Sequence, residues 1–170
     1  MQATRTASAE AAVAHVGVVG PSSADERELD EAESLGRGLA ERGHVVVCGG
    51  LGGVMEAVAR GSARAGGTVL GLLPGTDRAD ANPYVTVAVP TGLGELRNGL
   101  LVRSCDVVVS VGGSWGTLSE TALAVRTGVP VIAISGWILT TRDGREIDDG
   151  PRSVSSAGSA LDLLDRMLDA

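Results

Sequence analysis

The stretch VGGSWGTLSE, Val111 to Glu120, combines residue types that can hold an anion and act beside it. An apolar run stops at Gly112 and Gly113, where a glycine pair lets the backbone approach another group closely or take positive φ. Ser114, Gly116 and Thr117 then open a helix, and the free amides of a helix N-terminus attract phosphate. Glu120, one turn further in, would repel that phosphate. Two readings stand: it completes a T-x-x-E capping box with Thr117, or its carboxylate works on an atom beside the anion. Trp115, set between small residues, is expected outside the core, where its ring can stack on a flat ligand or close over it.

CGGLGGVMEAV offers a second loop of the same kind, in which Gly50, Gly52, Gly53, Val54 and Met55 could bring backbone amides to a phosphate. Tight packing of a strand against the next helix explains the same glycines. The dinucleotide fingerprint GxGxxG fails, because Met55 stands where the third glycine belongs, and NAD is not expected. GELRNGLLVRSCD supplies Arg97, beside a glycine-rich turn, with a fork of donors suited to a phosphate or a carboxylate. Arg103 falls on another helical face and reads as a solvated helix-end cation. Asn98, and Ser22 in the turn GPSS, join these loops as nucleotide-binding candidates.

Such loops need a scaffold that presents them together. From about residue 15, strand-length apolar runs (HVGVVG, HVVVCGG, TVLGLLPG, YVTVAVP, DVVVSVGG, VPVIAISG) alternate with helix-length segments. Ser23 and Glu26 have capping-box spacing for the first helix, and Asp143-Gly144 is a hairpin-turn dipeptide. Strands apolar on both faces and alternating with helices imply a mainly parallel sheet flanked by helices, a single doubly wound Rossmann-like α/β domain over 15–170. Residues 1–14 read as a flexible leader without the apolar core of a signal peptide. In such sheets ligands bind at the carboxyl ends of the strands, near the point where strand order reverses.

Composition narrows the chemistry. All 14 basic residues are arginine, so neither a lysine Schiff base nor a Walker-type Gly-Lys-Ser/Thr loop is available. His15 and His44 lack clustered partners, so no metal and no cofactor are expected. Cys48 and Cys105, in apolar company and without CxxC spacing, read as reduced buried thiols of a cytoplasmic protein. A net charge of −7 argues against a nucleic-acid partner, and no run is long enough for a membrane span.

GGLGGVMEAVARGSARAGGTVLGLLPG, NPYVTVAVPTGLGELRN and VGGSWGTLSETALAVRTGVPVI resemble a superfamily of Rossmann-type nucleotide-binding proteins, and the resemblance covers roughly residues 15 to 136. It includes the LONELY GUY phosphoribohydrolases and, closer in pattern, the molybdenum cofactor carrier proteins. Its members have been called lysine decarboxylases, a chemistry a lysine-free chain cannot perform as a Schiff base. The resemblance places the PGGxGTxxE motif's glycines on Gly112, Gly113 and Gly116, its threonine on Thr117, its glutamate on Glu120, and a catalytic arginine on Arg97. Val111 replaces the motif's proline, and Asn98 replaces a lysine, in the ELRN form of the carrier-like branch. The implied function is binding of a phosphorylated small molecule, with hydrolysis of a nucleoside 5′-monophosphate to free base and ribose 5-phosphate. The alternative is a non-catalytic carrier of molybdenum cofactor or a related phosphorylated heterocycle. The resemblance also implies a homodimer or homotetramer.

Overall fold

Short runs of Val, Leu and Ile have no polar side to turn to water, and the chain buries them by stacking strands between helices. The structure is a computed structural model describing residues 12–169; residues 1–11 of the expected leader lie outside that range. Seven strands form one sheet: β1 (His15–Val19), β2 (Val45–Cys48), β3 (Val69–Leu73), β4 (Val87–Pro90), β5 (Val107–Val111), β6 (Val131–Ile134) and β7 (Arg152–Val154). Their order is β4-β3-β2-β1-β5-β6-β7 and every pairing is parallel, the Rossmann-like α/β arrangement expected.

Side chains alternate across the sheet. Val16, Val18, Val109 and Ile132 face α1 (Glu26–Glu41), α2 (Val54–Arg64) and α5 (Ala157–Leu168), which contribute Leu35, Leu39, Val58 and Leu164 to one core. Val19, Val47, Val108 and Val131 face α3 (Arg97–Arg103) and α4 (Trp115–Arg126), which contribute Leu101, Val102 and Ala124 to the other.

Two local expectations change. The capping box of α1 is built by Asp25 and Glu28, not by Ser23 and Glu26. Glu26 is already the first helical residue, so it cannot be the third helical residue that a box from Ser23 requires. Strand β7 carried no sequence signal, because Arg152 and Ser153 are exposed and only pairing with β6 holds the segment extended. Residues 135–151 leave the sheet between these strands. Within them the Asp143-Gly144 turn forms as expected, with Gly144 at φ 81° and Thr140 bridged to Glu146.

Helices α1 and α2 touch backbone to backbone. A Cβ on Gly36 would strike the Val58 carbonyl, and one on Gly61 the Glu33 carbonyl. Gly36→Ala should therefore force the helices apart and cost about 1–3 kcal/mol in urea unfolding. An unchanged midpoint would show that the crossing has slack.

Candidate functional site

The chain leaves β1 toward β2 on one side of the sheet and leaves β5 toward β6 on the other. The two connections diverge and open a crevice at the carboxyl ends of β1 and β5, where such folds place ligands. A cavity of about 290 Å³ lies there. Of the residues singled out from sequence, Ser22, Met55, Arg97, Asn98, Ser114, Gly116, Thr117 and Glu120 line it. A larger hollow of about 770 Å³ runs along the outer edge of β4 between Arg78 and Pro90, but it holds no buried ionisable group. The buried Arg97 and Glu120 side chains both line the smaller cavity.

Arg97 and Glu120 face each other across its floor. Both residues are 8% exposed, and Arg97 Nη1 lies 3.6 Å from Glu120 Oε1. Arg97 is the first residue of α3, and its guanidinium lies over Gly49 at the end of β2. A Cβ there would stand 2.5 Å from Arg97 Nη2 and 2.6 Å from Met55 Sδ, so glycine leaves room for the arginine in this position. Arg97 Nε is buried without a hydrogen-bond partner among the described residues, which leaves donor capacity in the site. Burial pushes the Glu120 carboxyl up to about 7, against a smaller downward pull from Arg97. Arg103 is exposed, as its position on another face implied.

Glu120 is not a capping residue. Helix α4 begins at Trp115 with Ser114 as its N-cap, and Ser114 Oγ accepts the Thr117 amide at 3.1 Å. Thr117 is thus already in the first turn, its hydroxyl 2.9 Å from that of Ser114. The capping-box alternative required Thr117 one turn earlier in the helix, and it falls.

The glycines divide by task. Gly112 takes positive φ (69°), while Gly113 provides a close approach: a Cβ there would lie 3.1 Å from the Trp137 ring. Gly113→Val should displace that ring and weaken ligand binding more than it lowers the melting temperature, a difference that calorimetric titration beside a melting curve would read. Unchanged affinity in the folded variant would remove the loop from the site. In the β2–α2 turn, Gly53 (φ 65°) is pressed against the Pro21 and Ser22 carbonyls, and the Val54 amide already donates to Pro21 O at 3.1 Å. Gly50 (φ 74°) packs on Leu73. Packing therefore accounts for Gly50, Gly53 and Val54, whereas Gly52 has open space around it.

Trp115 is 77% exposed, as expected of a residue outside the core. Its neighbour is Trp137, which sequence reading passed over; the only available signal was a second tryptophan directly after the end of an apolar run. Gly20, Gly49 and Glu95 also line or floor the cavity; each lies inside a stretch singled out from sequence, but none was named as a site residue there. Among the described residues no group of three potential metal ligands gathers, and no helix is long and apolar enough to cross a membrane.

Comparison with known proteins adds three findings. The family model described as LDcluster4, SLOG cluster4 family, matches residues 13–157. A protein of Archaeoglobus fulgidus, described as uncharacterized, is 40% identical over 119 residues, covering 70% of this chain and 78% of that protein. Two solved structures superpose over nearly the whole chain. The molybdenum cofactor binding protein of Rippkaea orientalis has a TM-score of 0.84 and 32% identity, over 92% of this chain and 98% of that one. The molybdenum cofactor carrier protein of Chlamydomonas reinhardtii has a TM-score of 0.83 and 29% identity, over 94% and 100%.

Proposed function

This chain belongs to the SLOG cluster4 family, on the carrier-like side of its superfamily, and from that premise we propose that it binds and carries a phosphorylated heterocycle of the molybdenum cofactor type. The observation that carries the reading is the buried Arg97 fork, with Nε unpartnered, in a cavity that also receives the start of α4. The ligand's phosphate meets the free amides of the first turn of α4, the Ser114 and Thr117 hydroxyls, and Arg97. Asn98, in place of a lysine, offers an uncharged amide that holds the ligand without supplying a proton.

One observation favours a second reading, hydrolysis of a nucleoside 5′-monophosphate. Glu120 is a buried carboxylate in the cavity, with its ionisation near 7. In that reaction water adds to the anomeric carbon, the bond to the base breaks, and the base departs with a proton. Glu120 would stabilise the positive charge at the anomeric carbon and orient the water. A donor for the departing base is the missing part, which is why the carrier reading stands first.

Titration calorimetry with 6-hydroxymethylpterin monophosphate, beside chromatography of nucleoside monophosphates incubated with the protein, tests both. Tight binding of the pterin phosphate without release of any base supports the carrier. Base release that disappears in Glu120→Gln supports the hydrolase instead.

The protein is further proposed to self-associate, since Leu93 and Leu96, in the turn before α3, and Leu100 on it stand exposed. Light scattering at micromolar concentration should give at least a dimer, and a monomer would refute this.

A further inference from the structure

We propose that Trp137 and Trp115 form an aromatic wall at the mouth of the site, which receives the flat ring of the phosphorylated ligand and makes Trp137 its specificity residue. The proposal rests on the phosphate-binding reading above and adds the part of the ligand that lies beyond the phosphate.

Aromatic residues are scarce in this chain: two Trp, one Tyr and no Phe. The two tryptophans, one at the start of α4 and one in the β6–β7 connection, nevertheless meet with ring centroids 5.2 Å apart and planes inclined by 37°. Neither is spent on the core, Trp115 being 77% and Trp137 44% exposed. Trp115 lies in sequence between Ser114 and Gly116, both of which line the cavity, while Trp137 lines a separate hollow of about 480 Å³ and touches the loop at Gly113 and Ser114.

The backbone is strained to hold Trp137 in place. Ser135, a non-glycine, has φ 62°, and Gly136 follows at φ 94°. A left-handed non-glycine such as Ser135 is costly, whereas Gly136 is not, and such a residue persists where surrounding structure enforces it, often at ligand sites. The turn presses Gly136 against the Gly112 carbonyl, lays the Trp137 ring on Gly113, and lets Trp137 Nε1 donate to the Ser114 carbonyl at 3.3 Å. The indole is thus tied to Gly113 and Ser114, which lead into α4, with much of its surface left in solvent. A fixed, half-exposed indole beside an anion site is suited to stack on a planar heterocycle.

The test compares a ring-bearing probe, 6-hydroxymethylpterin monophosphate, with a ring-free one, glycerol 3-phosphate, by titration calorimetry. Wild type should bind the pterin phosphate more tightly. Trp137→Leu should lower that affinity about tenfold or more while leaving glycerol phosphate unchanged. Trp115→Leu should show the same selectivity, and it carries the test if a melting curve shows that Trp137→Leu does not fold. Equal affinities of wild type for the two probes overturn the wall and leave the phosphate site standing. So does equal loss of both probes, or no loss, in folded variants. Failure of wild type to bind either probe overturns the phosphate-binding reading, and the wall with it.

Discussion

Glu120→Gln is expected to make the protein more stable at pH 8 and to leave its stability unchanged at pH 4.5 and below. Burial raises the carboxyl from 4.5 to about 7 in the folded protein. Between those values the folded state keeps a proton that the unfolded chain has released, so wild-type stability falls as pH rises through that window and stays lowered above it. The full effect is on the order of 3 kcal/mol. Glutamine resembles the protonated form and escapes the penalty. Melting curves of both proteins at pH 5 and pH 8 should therefore diverge at the higher pH, and parallel behaviour would show that Glu120 titrates normally. The same variant should bind phosphorylated ligands more tightly at pH 8, because the ionised carboxylate repels the anion and competes with it for Arg97. If any nucleotide is hydrolysed, its turnover should fall about a hundredfold or more while binding persists.

Arg97→Leu is expected to cost the second large effect, a loss of affinity for 6-hydroxymethylpterin monophosphate on the order of a hundredfold, since charge-assisted bonds from a preformed fork disappear. Arg97→Lys should recover only part of this, because a lysine ammonium cannot reproduce the planar fork over Gly49. Stability should suffer less than the loss of a buried ion pair suggests. Without the guanidinium, burial acts on Glu120 unopposed and keeps it protonated at neutral pH, so no unpaired charge is left inside. Calorimetry of both variants checks this, and wild-type affinity in folded Arg97→Leu would place the anion elsewhere.

The fold was legible because its signals are local. Val107 to Val111, apolar but for Ser110, is buried on both faces, and such a run between helices reads as a strand covered on both sides. The helix at Trp115 and the turn at Asp143-Gly144 were readable for the same reason. Helix starts were less legible: two overlapping T/S/D-x-x-E spacings compete near α1, and only the register in which Leu35 and Leu39 face the core decides for Asp25. At Glu120 the same ambiguity hid more, since cap and site residue share one spacing until Ser114 is seen to start α4.

By itself the sequence determined the parallel α/β class, the glycine loops at strand ends, the absence of lysine chemistry, and Arg97 and Glu120 as the charged candidates. These follow from residue type and short-range periodicity, which do not depend on where distant segments lie. Tertiary structure alone decided that Arg97 and Glu120 face each other, that Gly49 makes room for the guanidinium, that burial rather than a neighbouring charge dominates Glu120, and that Trp137 comes down on the Gly113 loop. Each of these depends on strand order in the sheet. Placing β1 beside both β2 and β5, and β6 beside β5, brings the loops at their carboxyl ends within contact of one another, and no spacing along the chain encodes that adjacency.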